Sequence, residues 1–134
     1  MIVVVDTNVL VSGVLKPYSP AASILRMVVE GVIQPAYDLR ILAEYREVLS
    51  RPKFNFGREI VTPLLDQIKG EGFLISASPL KSPLPDPADE PFLEVALAAG
   101  AAALITGNRR HFPRGSYGAV RILSPAESIK MFRL

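Results

Sequence analysis

The chain of 134 residues contains no cysteine, no tryptophan and a single histidine, His111. The missing cysteines exclude a disulfide framework, a thiolate zinc site and a thiol nucleophile, and one histidine excludes a histidine-rich metal centre. Any metal is therefore expected to be held by oxygen. Long apolar runs are also lacking: Ile2 to Val5 breaks at Asp6, far short of the roughly 20 residues of a membrane span, and no basic leader precedes it. The expectation is a cytoplasmic protein with no membrane contact. Nor does one sign of charge dominate, since 15 Lys and Arg face 13 Asp and Glu for a net charge of +2. So small a net field permits a nucleic-acid partner without specifying one. What the chain does have is 49% hydrophobic residues, enough for one compact domain over 1–134 with a sizeable core.

Punctuation along the chain separates strands from helices. Ile2 to Val5 is an unalternating β-branched run, the pattern of a strand buried on both faces of a parallel sheet. Further short strands are predicted at Val32 to Ala36, Gly72 to Ser76, Ala102 to Thr106 and Val120 to Leu123. Helices are predicted over Ala21 to Glu30 after Ser19-Pro20, from an Asp38 cap to about Ser50, over Arg58 to Lys69, and from Ala88–Glu90 to Gly100. A last one opens at Ser124-Pro125 with Glu127 in the capping-box position. Between them Ser78 to Pro87, with four prolines, reads as a stiff extended connection. The alternation predicts an α/β, three-layer domain with a central, mainly parallel, five-stranded sheet flanked by helices.

Asp6 is the most informative residue, because a carboxylate closing an Ile/Val strand must be paired, bind a cation or cap the next segment. Sites in open parallel sheets form outside the carboxyl ends of the strands, where Asp6 lies together with Asp86, Asp89 and Glu90 on one side and Thr106-Gly107-Asn108 on the other. Acids with no neutralising histidine call for a hard cation such as Mg²⁺ or Mn²⁺. On the Asp38 to Ser50 helix, Glu44 lies about 100° from Tyr45 at the centre of the apolar stripe, whereas Glu47 lies about 200° away and faces water. Arg40 and Arg51 project near Glu44 on the same wheel, so a structural salt bridge is the competing reading. Among the later acids Asp89 ranks first as a ligand, Asp86 second and Glu90 third, with helix capping accounting for one of them. Two basic stretches, Arg109-Arg110 with His111, and Arg51, Lys53 and Arg58 interleaved with Phe54 and Phe56, are candidates for phosphate contact and base stacking, or simply solvated loops. Arg40 and Arg46 are alternatives for a protein partner.

Four segments in this order, Val-Val-Val-Asp-Thr-Asn-Val-Leu-Val-Ser, Leu-Ala-Glu-Tyr-Arg-Glu-Val-Leu, Asp-Pro-Ala-Asp-Glu-Pro-Phe-Leu-Glu-Val-Ala and Leu-Ile-Thr-Gly-Asn-Arg-Arg-His-Phe, resemble a PIN-domain protein over nearly the whole chain. More narrowly, the chain is similar to prokaryotic PIN proteins that are toxin components of toxin–antitoxin systems. The resemblance implies a Mg²⁺- or Mn²⁺-dependent endoribonuclease, a homodimer and a cognate antitoxin. Under it Asp6 would be the primary metal ligand, Glu44 and Asp89 would complete the acidic set, and Asp86 would be the alternative third acid. Asn8 would orient Asp6 or a bound water, Thr7 would cap the turn, and Thr106 would orient a substrate phosphate or ligand water. Many PIN nucleases carry an aspartate where this chain has Asn108, which lowers the negative charge of the site. That departure keeps open a catalytically weak or inactive RNA-binding or regulatory module. An aspartyl phosphatase or receiver domain fits less well, because Asn8 stands where the phosphatase needs a second Asp and Asp6 lacks the receiver's acidic neighbour.

Overall fold

A computed structural model describes residues 1–132; positions 133 and 134, the end of the expected domain, lie outside the described residues. The strands are β1 (Ile2–Val5), β2 (Gln34–Tyr37), β3 (Phe73–Leu74), β4 (Ala103–Ile105), β5 (Ser116–Tyr117) and β6 (Val120–Leu123). The helices are α1 (Thr7–Leu15), α2 (Pro20–Val29), α3 (Leu39–Leu49), α4 (Arg58–Glu71), α5 (Glu90–Ala99) and α6 (Pro125–Phe132). They flank one six-stranded sheet of order β3-β2-β1-β4-β6-β5. Every pairing is parallel except β5 with β6.

The α/β class and the five predicted strand positions are present, and the expected count of five is corrected to six. The added strand, β5, is two residues long and runs between Gly115 and Gly118, both at positive φ. Its turns, not a hydrophobic pattern, create it. A second difference is α1, a helix that starts directly after Asp6 where the sequence pattern marks only a turn. Its three valines disfavour helix intrinsically, and packing overrides them. Gly13 lets α1 approach α2: a Cβ there would sit 2.6 Å from Leu25 Cδ1.

The caps obey the predicted chemistry. Asp38 Oδ1 accepts from Ile41 N at 3.0 Å and Ser19 Oγ from Ala22 N at 3.1 Å. Ser124 and Glu127 form a reciprocal capping box, with Ser124 N donating to Glu127 Oε1 at 2.8 Å and Glu127 N to Ser124 Oγ at 3.1 Å. Each such cap contributes about 1 kcal/mol. Val3, Val4 and the whole of β4 are completely buried, which fixes the two central strands and hence the ends that carry functional residues. The proline-rich connection is fastened by its backbone: Leu80 N donates to Glu94 Oε2 at 3.1 Å and Leu84 N to Glu90 Oε2 at 3.0 Å. Buried Glu94 also receives Arg40 Nη1 at 2.8 Å, and Arg40 pairs with Asp38 at 2.7 Å. Arg40 is thus occupied within the molecule. No described helix is long and apolar enough to cross a membrane.

Candidate metal centre

The strand order grows outward from β1 in one direction through β2 and in the other through β4, so the sheet's switch point lies between β1 and β4. Asp6 leaves the carboxyl end of β1 and Thr106-Gly107-Asn108 leaves that of β4. Asp6 N donates to Ile105 O at 2.9 Å, which carries the pairing of the two strands up to this edge. The Asp6 side chain is buried without capping α1. Instead its Oδ2 accepts from the Thr106 hydroxyl at 2.8 Å, with Asn8 Nδ2 at 3.5 Å. Asn108 N donates to Thr106 Oγ1 at 3.0 Å, and Gly107 N donates to Asn8 Oδ1 at 3.0 Å. Asn8 and Thr106 therefore hold one carboxylate oxygen from both strand ends.

Glu44 comes to the same edge because α3 is anchored there. Tyr45, completely buried and tilted against Phe92, donates its hydroxyl to Val5 O at the end of β1. A buried phenol needs such an acceptor. Its neighbour Glu44 is half-buried and accepts from the Thr7 hydroxyl through Oε2. The salt-bridge reading of Glu44 is corrected: Arg40 reaches Asp38 and Glu94, and Arg51 reaches Glu47 at 2.9 Å. Thr7 likewise orients Glu44 where a turn-capping role was expected.

Asp89 ends a 3₁₀ turn over Pro87–Asp89, just before α5, and is buried. Asp86 is exposed and caps that turn, accepting from Ala88 N at 2.9 Å, while Glu90 is engaged with Leu84 N. Asp89 Oδ2 is a buried oxygen whose neighbour is the His111 imidazole. His111 Nδ1 stands 2.9 Å from it in ion-pair range, and Asn108 Nδ2 stands 2.8 Å from the ring's other nitrogen, Nε2. Among the described residues, Asp86, Asp89 and His111 bring their ligand atoms within 4.8 Å of one another. The one imidazole thus lies beside the acids expected to supply oxygen ligands.

Electrostatics joins the acids. Burial pushes Asp6 from 3.8 to about 6; the Thr106 hydroxyl opposes this, and the Asp89 and Glu44 carboxylates push it further upward. Asp89 is also raised, by burial first, with His111 opposing and Asp86 and Glu44 adding to the rise. Carboxylates that resist ionisation because they are buried near one another are relieved by a bound cation, and the donor set suits a hard divalent ion.

Of the basic candidates, Arg109 is paired with Glu127 at 3.0 Å and Arg51 with Glu47. Arg110 is exposed and enters no ion pair among the described residues. Lys53 lies over Phe54, which stacks on Phe56 at 5.4 Å. Sequence reasoning missed the anchoring of α3 by Tyr45 and gave His111 a loop role. The signals were a phenol at the centre of an apolar stripe and an imidazole three residues after Asn108.

Fold and site together define an open α/β domain with Asp6 buried at its switch point and the Asp89 and Glu44 carboxylates near enough to raise its pKa. The profile of the PIN domain matches residues 2–110, and the chain belongs to the PIN-domain family. PIN domains are nuclease-type folds that typically use divalent metals. No curated protein matches the chain.

Proposed function

We propose that this protein is a metal-dependent endoribonuclease that hydrolyses RNA phosphodiester bonds at a centre built from Asp6, Glu44 and Asp89, with Asp86 as the alternative third acid. The observation that carries the reading is Asp6 at the switch point of a PIN sheet, its carboxyl pushed upward by burial first and by the nearby Asp89 and Glu44 carboxylates besides. A Mg²⁺ or Mn²⁺ ion bound to these oxygens would polarise a phosphoryl oxygen and make a water more acidic. The chain's own part is positioning. Thr106 and Asn8 fix Asp6, Thr7 fixes Glu44, and the acids themselves leave RNA contact to basic side chains, unpaired Arg110 first, with Arg109, Arg51 and Lys53 as the further candidates. The resemblance to toxin components supports a toxin of a toxin–antitoxin pair acting in the cytoplasm as a homodimer with a cognate antitoxin.

Purified protein is expected to cleave mixed-sequence RNA with Mg²⁺ or Mn²⁺ and to stop on chelation. Asp6→Asn and Asp89→Asn should each lose more than the roughly 10–100-fold typical of residues lying behind metal ligands. Full activity in folded Asp6→Asn would overturn the reading. A regulatory module that binds RNA without cleaving it is favoured by one observation, the amide of Asn108 placed against His111 where many PIN nucleases carry an acid. RNA binding with no cleavage under either ion would select that reading.

A further inference from the structure

Between α3 and α4 opens a cleft of about 650 Å³, within the size range of small-ligand sites. Its floor includes buried Leu49 and Leu65, and its rim carries three cations, Arg46 from α3 with Arg58 and Lys69 from α4. Arg46 and Arg58 are exposed and enter no ion pair among the described residues. The one acid lining the cleft, Asp66, stands 3.6 Å from Lys69. Neighbouring carboxylates are engaged elsewhere: Arg51 takes Glu47 at 2.9 Å, and Glu59 folds back against Gly57 outside the cleft. Three cations against one acid on a concave surface focus positive potential into it, and an anion relieves their mutual repulsion. Phe56 lines the same cleft, half-buried and backed by Phe54, the two ring centroids 5.4 Å apart and the planes 11° from parallel. A ring held in this way is a platform on which a further aromatic face stacks.

We propose that the α3–α4 cleft binds a nucleotide bearing more than one phosphate, with the base on Phe56 and the phosphates on Arg46, Arg58 and Lys69. The spacing of the cations sets the number of phosphates. Arg58 and Lys69 lie on one face of α4 with eleven residues of helix between their positions, about 16 Å at 1.5 Å per residue, farther than the oxygens of a single phosphate reach. The aromatic platform sets the rest of the ligand. An acidic peptide would satisfy the cations and leave Phe56 idle, whereas every nucleotide brings a π-face together with its charge. This position is separate from the acidic centre, because Arg46 comes two residues after Glu44 on α3 and so projects about 200° around the helix from it. A nucleoside polyphosphate and a segment of single-stranded RNA present the same chemistry to the cleft.

Calorimetric titrations of the whole protein, in EDTA and at one low salt concentration, compare ADP, single-stranded hexaadenylate, adenosine and poly-Glu. ADP or hexaadenylate should bind saturably, and adenosine, which lacks phosphate, far more weakly. Arg46→Gln and Arg58→Gln change exposed side chains, and their folding is checked by urea unfolding. Each should weaken the binding by at least about 10-fold, the loss of one charge-assisted hydrogen bond. Phe56→Leu, which keeps apolar bulk against the core, should weaken it by roughly 5–150-fold, the loss of one base stack. Tighter binding of ADP assigns the cleft to a free nucleotide, and tighter binding of hexaadenylate assigns it to an RNA segment. Failure of both to bind, unchanged affinity in the folded arginine variants or in Phe56→Leu, or poly-Glu bound in preference to both overturns the proposal. EDTA prevents metal-dependent hydrolysis and none of these residues belongs to the acidic centre, so the outcomes are independent of whether the protein cleaves RNA.

Discussion

Asp6 holds its charge against its surroundings, and the consequence is measurable. Its folded pKa of about 6 stands above the ordinary 3.8, so between those values the native state retains a proton that the unfolded chain releases. Stability that is present at low pH is therefore lost as pH rises from about 4 to about 6, by about 3 kcal/mol. Asp89 is raised in the same direction and adds to the loss. Through this contribution metal-free protein should melt several degrees lower at about pH 7.5 than at about pH 4, and Asp6→Asn should reduce the difference while keeping an acceptor for Thr106. Divalent cation should raise the melting temperature more at the higher pH. A melting temperature whose pH dependence is the same in Asp6→Asn as in the parent would refute this account of Asp6. The singular position of Asp6 was legible because one carboxylate ends an otherwise apolar strand. The parts played by Thr7 and His111 were not, since each depends on a partner 37 and 22 positions away in the chain, Glu44 and Asp89 respectively.

At the scale of elements, legibility tracked local pattern. Strands β1 and β4 are apolar runs, β6 is apolar and buried but for exposed Arg121, and α2, α3 and α6 begin at residues whose side chains cap them. Helix α1 carries no such cap and is rich in valine, so only its packing against α2 reveals it. Gly13 is where that packing is closest, with Leu25 Cδ1 at 2.6 Å and Ala21 O at 3.1 Å from an added Cβ. Gly13→Ala is offset by the helix propensity it gains, whereas a branched side chain cannot be accommodated by rotating Leu25 alone. Gly13→Val should destabilise the protein by about 1–3 kcal/mol in urea unfolding. Adding Leu25→Ala should recover part of the loss, giving a coupling energy of about 0.5–3 kcal/mol in the double-mutant cycle. Strict additivity of the two changes would mean that α1 and α2 do not meet as described. Because α1 starts directly after Asp6, its docking also helps fix the strand end on which the acid stands.

Over the whole molecule, a net charge of +2 is the sum of separated regions. Acidic side chains lie near Asp6 at the sheet's switch point, and two of the cations proposed for RNA are already committed, Arg51 to Glu47 and Arg109 to Glu127. Arg110, exposed and free of ion pairs among the described residues, comes just after the β4 end that supplies Thr106 and Asn108 to the acidic edge. If RNA crosses that edge, Arg110 can neutralise a phosphate without first surrendering a carboxylate partner. Removing one phosphate-neutralising charge from a single-strand binder lowers the slope of log affinity against log salt by about 0.7. Measured in the Asp6→Asn background to prevent cleavage, Arg110→Ala should reduce the slope by about that amount and weaken binding across RNA sequences alike. Arg51→Ala should leave the slope unchanged, because the charge removed is one that Glu47 already screens at 2.9 Å. An Arg110→Ala slope equal to the parent's, with Arg51→Ala lowering it, would move the RNA path to the far end of α3 and away from the acids.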